Sequence, residues 1–528
     1  MTNGYLFNIV RKMLSSHQFS SELQQHGTSS LLLPLFFTIL ASSFIIFFFK
    51  KPSPLNRKLP PSPPNFPIIG NLHQLGLHPH RSLRSLAHTH GPIMLLHLGS
   101  KPVLVISSAE LARDVMKTQD LIFADRPITK IQMMLLYDKK DVAFASYGEY
   151  WRQIKSLCVL HLLSNKRVRS YSKIREEEIN LIIDTLKNSS SSTSVVNLSD
   201  LIIKVTNNIV CRIAMGKKYN LVELGGRAFK EIFNDIADLL GSSDVGDYIP
   251  WLGWVNHVTG LYAKARKVAK EFDDFLENVV EEHIASGCYM KEDTTNKDFV
   301  DVLLWLQKEN LAGFPIDRTC IKAITLDIFA GGTDTTYTLM EWVMTELLRH
   351  PEIMKRVQSE IREIAKDKIF ISETDLNKLQ YLKAVIKETF RMHPPVPLLV
   401  PRVARKDVKL QGYDIAAGTQ VLINAFAIGR DAASWDQAEE FRPDRFLNSS
   451  IDFRGHDFEL IPFGSGRRIC PGIHFATITY ELVLANLLYK FDWTLHGVAK
   501  GEDLDTTEST GISIHKRNPL FVVATPHI

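Results

Sequence analysis

Hydrophobic and polar residues alternate in short blocks along most of the chain, and one long apolar run near the N-terminus breaks this pattern. A polar tail, residues 1–30, precedes LLLPLFFTILASSFIIFFF, residues 31–49, which contains no charged residue. A helix of about 20 apolar residues can cross the hydrocarbon core of a bilayer. A cleaved signal peptide is the alternative, but its apolar core is shorter and no small-x-small cleavage site follows here. The run therefore predicts a single N-terminal transmembrane helix.

Basic residues and prolines follow this predicted anchor. Lys50, Lys51, Arg57 and Lys58 lie on its C-terminal side, whereas only Arg11 and Lys12 carry basic charge before it. The positive-inside rule then places the remainder of the chain in the cytosol. The prolines in residues 50–66 each fix φ, so this stretch predicts a stiff hinge.

From residue 67 onward the periodicity is mainly helical. An amphipathic pattern begins at Arg81 and ends at Gly91-Pro92, and two runs typical of strands, IMLLHLG and PVLVIS, follow it. Another long helical pattern extends from Asp317 to about His350. Because no internal repeat or long linker divides this part of the chain, residues 67–528 predict one large domain, mainly α with small β-sheets.

Charge and cysteine content exclude several classes of protein. The net charge of +4 is too small to indicate a nucleic-acid-binding protein. The five cysteines are scattered and form no C-x-x-C pair, so neither a disulfide framework nor a zinc site is indicated. A reducing compartment fits this distribution best.

One cysteine, Cys470, lies between a glycine-punctuated loop and an apolar helical run that opens after Pro471. Proline is favoured in the first turn of a helix, so Cys470 is expected at a helix N-terminus. Backbone N–H groups and the helix dipole favour the thiolate there and are expected to lower the pKa of the thiol. Gly466 permits a tight turn, and Arg467 and Arg468 add positive charge. These features suit an anionic metal cofactor.

Five residues around Cys470 fit the pattern F-x-x-G-x-R-x-C-x-G and resemble the haem-binding loop of the cytochrome P-450 monooxygenases: Phe463, Gly466, Arg468, Cys470 and Gly472. A buried structural thiol is the alternative for an isolated cysteine, and the spacing favours the haem loop over it. The resemblance implies that Cys470 is the proximal thiolate ligand of haem b, iron protoporphyrin IX. It also implies that Arg468 contacts a haem propionate.

The long helical pattern contains a second family motif. Gly331 and Gly332 each cost about 1 kcal/mol in a helix interior, which indicates close packing or close approach to a ligand. With the next four residues they form GGTDTT, which resembles the family's [AG]-G-x-[DE]-T-[TS] signature. The resemblance implies that Asp334 and Thr335 deliver protons during oxygen activation, a step that needs a positioned acid.

Further motifs occur in the family's order. Glu388 and Arg391 form E-x-x-R, and FRPDRF supplies Arg445. An i,i+3 pair is usually exposed and weak, but the resemblance implies a buried structural triad beneath the haem. It also implies three further propionate contacts: Trp151 and Lys155, which fit W-x-x-x-[RK], and Arg402.

Local sequence narrows the resemblance to plant microsomal members of the 71-type subfamily: PPSPPNFPIIGNLHQLG, FADRP and DFVDVLL. This implies a single-pass protein of the endoplasmic reticulum membrane with a cytosolic catalytic domain. The implied reaction inserts one atom of O2 into a small hydrophobic plant metabolite. Since the chain has no G-x-G-x-x-G motif, electrons are expected from NADPH through a cytochrome reductase, with cytochrome b5 as an additional donor.

Two other functions fit a haem-thiolate site. The protein could rearrange peroxides or dehydrate substrates without O2, or it could be a membrane-anchored haem sensor. The presence of both Asp334 and Thr335 favours the monooxygenase. The substrate stays open among terpenoids, coumarins and other phenylpropanoids, and amino-acid-derived oximes.

Overall fold

A computed structural model describes residue 38 and residues 57–189, 195–219, 223–224, 227–242, 244–291, 297–366, 368–497 and 500–527. The predicted tail, residues 1–30, and all of the predicted anchor except Thr38 lie outside these residues, as do residues 50–56 of the predicted hinge. No helix in the described part of the chain is long and apolar enough to span a membrane.

Residues Leu59–Ile528 form one unit. Residues 59–66 of the predicted hinge are part of this unit, in which the Leu95 backbone N–H donates to Pro61 O at 2.8 Å and Asn71 Nδ2 donates to Pro64 O at 3.3 Å. The prolines nearest the domain are therefore held by backbone and side-chain hydrogen bonds.

Helices dominate the unit, as the periodicity predicts. The first half of the chain contains α1 Pro79–His90, α2 Ala109–Arg113, α3 Lys130–Leu135, α4 Glu149–Leu157, α5 Asn165–Ser170, α6 Ser172–Ser189, α7 Leu198–Met215, α8 Phe229–Leu240, α9 Val245–Tyr248 and α10 Val255–Val258. The second half contains α11 Leu261–Ser286, α12 Phe299–Lys308, α13 Arg318–Arg349, α14 Pro351–Ala365, α15 Gln380–Met392, α16 Ala425–Ile428 and α17 Ile473–Lys490.

Small sheets accompany the helices. The strands are β1 Ile93–Leu98, β2 Lys101–Ile106, β3 Val195–Asn197, β4 Glu223–Leu224, β5 Arg227–Ala228, β6 Arg402–Val403, β7 Val408–Leu410, β8 Tyr413–Ile415, β9 Gln420–Ile423, β10 Phe491–Leu495 and β11 Phe521–Pro526. The largest sheet has the order β1-β2-β9-β6 and another has the order β10-β11-β3. The predicted strand runs form the β1–β2 hairpin, in which Leu98 pairs with Lys101. Gly99 has a φ of 58°, as this tight connection requires.

The long helix α13 runs through the core. Its N-cap is Asp317, whose side chain accepts a hydrogen bond from Cys320 N, and it ends before His350. Both ends agree with the helical pattern in the sequence. Residues 336–348 are buried on every face, so this half of α13 is enclosed by other elements, including α7 and α17. A helix enclosed in this way is a rigid support for residues of its other half.

A buried ion cluster joins α15 to the loop that precedes the C-terminal helix. Arg391 Nε and Nη2 donate to the two oxygens of Glu388 at 2.8 and 2.7 Å, and Arg445 Nε donates to Glu388 Oε1 at 3.2 Å. Arg391 also donates to Gly429 O and Ala438 O, each at 2.6 Å. Because Glu388 and Arg391 are both fully buried, each charge depends on the other for compensation.

We expect Glu388→Gln to lower the free energy of unfolding by about 3–5 kcal/mol, because it leaves the Arg391 and Arg445 charges buried without an anion. Asp274→Asn is the matched control, since Asp274 pairs with Lys270 on an exposed helix surface and the change there should be below about 1 kcal/mol. Equal losses in the two variants in urea titrations would contradict a supporting role for the buried cluster.

A second charged pair connects α11 to the start of α12. His283 Nε2 lies 2.9 Å from Asp298 Oδ2, and His283 Nδ1 lies 2.7 Å from Val279 O. Burial lowers the pKa of His283, but the hydrogen bond to Asp298 and its charge outweigh burial and raise the pKa to about 9. The protonated imidazole therefore donates from both ring nitrogens.

This pair makes stability depend on pH in a defined direction. The raised pKa of His283 contributes stability that is full below about 6.5, its unfolded value, and is lost as the pH rises through about 9. The difference in unfolding free energy between the wild type and His283→Gln should reach up to about 3 kcal/mol at pH 6 and shrink by pH 9.5. A difference that is constant or grows over this range in denaturant titrations would contradict the assignment.

Candidate functional site

A cavity of about 300 Å³ lies between the middle of α13, the N-terminal end of α17 and the loop that contains Cys470. Its wall is largely apolar and includes Ile324, Leu339, Val396 and Phe475. The polar groups that line it come from separate elements: Arg126, Trp151, Lys155, Asp327, Thr335, Thr336, Arg402, Arg468, Cys470 and Tyr480. An apolar pocket with a few converging polar groups is typical of a small-molecule site.

Two glycines and a backbone hydrogen bond shape the Cys470 loop. Gly464 and Gly466 both have a φ of 68°, and a Cβ on Gly466 would lie 1.8 Å from Met116 O. Cys470 N donates to Phe463 O at 3.0 Å, which closes the loop. Phe463 packs against Phe390, with ring centroids 5.2 Å apart. Gly466 is therefore required both by backbone conformation and by close approach.

Cys470 precedes α17, although the helix begins at Ile473 with Gly472 as its N-cap, two residues later than expected. The Gly472 N–H donates to Cys470 Sγ at 3.4 Å. The thiol is exposed to the cavity that it lines. Burial away from bulk water raises the pKa of Cys470, and the Gly472 N–H and Lys155 oppose this only in part. The expected lowering of this pKa by the helix start is therefore wrong for the protein alone.

Four cationic side chains converge on the cavity beside this loop. Three are buried arginines, and the fourth, a lysine, is partly buried. All four donate to backbone carbonyl oxygens. These contacts are Arg126 Nη1 to Val400 O at 2.6 Å, Lys155 Nζ to Ile469 O at 3.3 Å, Arg402 Nη2 to Ser465 O at 3.1 Å and Arg468 Nε to Ala124 O at 2.7 Å.

Carbonyl oxygens do not neutralise this charge. Burial, followed by repulsion from Arg468, lowers the pKa of Lys155 to about 8. Burial lowers the pKa of Arg402 to about 10, and burial with repulsion from Arg402 does the same for Arg468. Arg468 Nη1 is buried and has no hydrogen-bond partner. The cluster therefore fits an anionic ligand that carries carboxylates.

Arg126 belongs to this cluster although the sequence motifs assign it no role. It is the arginine of FADRP, and its Nε donates to Ala143 O at 3.0 Å. Burial and repulsion from Arg402 and Arg468 lower its pKa well below the usual value. The proline-flanked FADRP motif is the signal in the sequence, but nothing local predicts that it folds against Arg402 and Arg468.

Trp151, predicted as a propionate contact, lines the cavity but does not offer its indole N–H to it. Its indole N–H donates to Val142 O at 3.0 Å and is therefore engaged within the protein. Its ring instead supports the cations, because the Arg468 guanidinium lies 4.1 Å and the Lys155 ammonium 5.1 Å from the ring centroid. Trp151 thus contributes through the ring face, by cation–π contact.

The two residues of the GGTDTT motif point in different directions. Thr335 lines the cavity, and its hydroxyl donates to Gly331 O at 2.7 Å. Asp334 does not line the cavity and instead interacts with Ser513 and His515. Burial raises the pKa of Asp334, and the Ser513 hydrogen bond opposes that rise. The hydroxyl therefore faces the cavity, and the acid lies behind it.

Three proteins of similar sequence come from plants. The chain is 54% identical over 522 residues to cytochrome P450 736A117 of Prunus mume, covering 98% of this chain and 100% of that protein. It is 53% identical to cytochrome P450 71A26 of Arabidopsis thaliana, covering 93% and 99% of the two chains. It is also 49% identical to norfluorocurarine oxidase of a Strychnos species, covering 93% and 98%.

A solved structure and a family profile match the chain in the same way as these relatives do. A zebrafish cytochrome P450 solved with progesterone superimposes with a TM-score of 0.73 at 26% sequence identity, covering 86% of this chain and 100% of that one. The profile described as cytochrome P450 matches residues 60–523. The chain therefore belongs to the cytochrome P450 family of haem-thiolate oxidoreductases.

Proposed function

We propose that this chain inserts one atom of O2 into a small hydrophobic plant specialised metabolite, using electrons from NADPH that reach it through a reductase partner. The observation that carries the proposal is that Cys470 and Thr335, from two different elements, line one apolar cavity. A thiol and a hydroxyl facing the same cavity fit the proximal ligand and the proton-delivering group of a monooxygenase.

The residues present fit haem. Cys470 would ligate its iron, and the cluster of four cations would hold its two propionates: Arg126, Lys155, Arg402 and Arg468. The unpartnered Arg468 Nη1 and the lowered pKa values of the cluster support an anion there. When bound, haem supplies the oxygen-activating chemistry. The protein supplies the anion site, the dry cavity and the proton path.

Proton delivery falls to the middle of α13. The Thr335 hydroxyl donates to Gly331 O in this structure, which leaves its oxygen able to accept a hydrogen bond from the cavity. Asp334 precedes it, and burial raises the pKa of this carboxyl group against the hydrogen bond from Ser513. The Thr335 hydroxyl would give its proton to a group in the cavity and regain one from the Asp334 side, so that the hydroxyl is restored and the carboxyl supplies the proton.

Partners and location follow from the same assignment. The chain has no nucleotide-binding fingerprint, so an NADPH-cytochrome reductase, with cytochrome b5 as an additional donor, supplies the electrons. The apolar run 31–49 and the basic residues after it support a single-pass anchor in the endoplasmic reticulum membrane, with the catalytic domain in the cytosol.

Two measurements test this function. The full-length protein in membranes with a reductase should consume NADPH and O2 together when plant metabolites are screened. The fraction of NADPH that ends in product should depend on Thr335, because loss of a proton-delivering group typically slows the step that it serves by 10²–10⁴-fold. We therefore expect Thr335→Ala to form clearly less product per NADPH than the wild type.

Thr345→Val is the matched control for this variant. The Thr345 hydroxyl donates to Glu341 O at 2.7 Å, the same i−4 contact that Thr335 makes, but Thr345 is fully buried outside the cavity. Coupling should stay at the wild-type level in this control. Absence of NADPH and O2 consumption would favour a peroxide-rearranging enzyme or a haem sensor. An unchanged ratio in Thr335→Ala would contradict the role of Thr335.

A further inference from the structure

Three side chains that can ligate a metal meet at a place apart from the cavity. His283 lies near the end of α11, and Asp298 and Asp301 lie at the start of α12, where they are the two acidic residues of DFVDVLL. One ligand atom of each lies within 4.8 Å of those of the other two. Among the residues that the structure describes, no other three histidine, cysteine or acidic side chains meet in this way. None of the three lines the cavity, so the proposed function does not use them.

The imidazole of His283 is held in the orientation of a metal ligand. Its Nδ1 lies 2.7 Å from Val279 O, and its Nε2 lies 2.9 Å from Asp298 Oδ2. A histidine that ligates a metal through one ring nitrogen usually donates the other N–H to a backbone carbonyl or a carboxylate. Val279 O therefore fixes the ring so that Nε2 faces the carboxyl groups.

Asp301 is the member of the cluster that an ion pair does not explain. It is 5% exposed, and among the residues that the structure describes its Oδ1 is buried without a hydrogen-bond partner. Asp298 differs, because its Oδ1 accepts a hydrogen bond from the Asp301 backbone N–H at 2.9 Å and its Oδ2 pairs with His283. A buried acceptor without a donor marks a position for a water molecule or an ion. Since a second carboxyl group lies within 4.8 Å, a cation suits this position.

The end of α7 borders the cluster. This helix ends at Met215, and its C-cap, Gly216, has a φ of 76°. A Cβ on Gly216 would lie 2.6 Å from Asp298 Oδ2 and 3.6 Å from His283 Nε2, so any side chain there would fill the space beside both atoms. The C-terminal end of a helix carries partial negative charge, which stabilises a nearby cation. The space that the glycine leaves is therefore both open and favourable for a metal ion.

We propose that His283, Asp298 and Asp301 bind one zinc ion, which joins the end of α11 to the start of α12. One imidazole nitrogen and two carboxylate oxygens suit zinc, whereas Ca²⁺ and Mg²⁺ prefer oxygen ligands alone. Zinc sites with three protein ligands take water as the fourth ligand.

The spacing of the three groups agrees with zinc. Tetrahedral bonds of about 2.1 Å separate ligand atoms by about 3.4 Å. This separation lies between the 2.9 Å of the His283–Asp298 pair and the 4.8 Å that bounds the cluster. The protonated pair is the metal-free form, and zinc binding releases the proton of His283, because only a neutral imidazole ligates a metal.

The test measures zinc binding by the full-length haem protein after treatment with a chelator, with the haem content fixed by the carbon-monoxide spectrum. Equilibrium dialysis against zinc should give one ion per haem in the wild type. X-ray absorption at the zinc edge is separate from that of haem iron. It should show an imidazole nitrogen and oxygen ligands at about 2.0–2.2 Å, without sulfur.

Asp301→Asn is the variant that separates a zinc site from an ion pair, because it keeps the His283–Asp298 pair and the size of the side chain but removes one ligand. It should bind zinc at least about tenfold more weakly than the wild type. His527→Gln is the matched control. His527 Nδ1 lies 3.3 Å from Asp492 Oδ2 in a histidine–aspartate pair that has no third ligand in the described part of the chain, so this variant should keep the wild-type affinity.

Urea titrations add a second measurement on the same proteins. Zinc that binds the folded chain raises the midpoint of unfolding, and it should do so in the wild type and in His527→Gln but not in Asp301→Asn. Less than one zinc ion per haem in the wild type, or sulfur among its ligands, would overturn the proposal. Equal affinity, or an equal rise in midpoint, in haem-containing Asp301→Asn would also overturn it, because the ion would then lie elsewhere on the protein.

Discussion

Buried positive charge beside the Cys470 loop is the constraint on which the rest of the site depends. Three arginines and a lysine are brought out of water, and they donate hydrogen bonds to backbone carbonyl oxygens and not to carboxylates, which is costly for an ion. They come from residues 126, 155, 402 and 468, so the loops and helices between these positions must all be in place before the cluster exists. A ligand that brings two carboxylates would remove this cost, which would couple retention of that ligand to the fold.

Burial disfavours the charged form of the Cys470 thiol as well, but for a thiol this raises the pKa, whereas for the arginines it lowers the pKa. Burial raises the pKa of Cys470 in the protein alone, so the thiolate needs the positive charge of a metal in addition to one N–H and Lys155. The cations beside the loop therefore lack an anion, and the thiolate lacks a cation. A group with carboxylates at its edge and a metal ion at its centre would supply both. Trp151 links them, because its ring contacts Arg468 and Lys155 and its N–H holds residue 142.

Periodicity and spacing predict much of this arrangement. The ends of α13 and the strands of the β1–β2 hairpin follow from patterns within short windows. The convergence of Glu388, Arg391 and Arg445 was implied only by the family resemblance, because Arg445 lies 57 residues after Glu388. The direction of the Cys470 pKa was not predictable in this way, because it depends on burial by distant segments. The engaged Trp151 N–H and the place of Arg126 depend on the loop near residue 142, whose fold no local pattern indicates.

The most direct measurement is an experimental structure of the full-length chain with haem bound. The account predicts that Cys470 Sγ ligates the iron and that the propionate oxygens lie within about 3.2 Å of nitrogens of the arginine cluster. It also predicts that Arg468 Nη1, which has no partner here, is among those donors. Propionates directed away from Arg126, Arg402 and Arg468, or iron held by another residue, would contradict it.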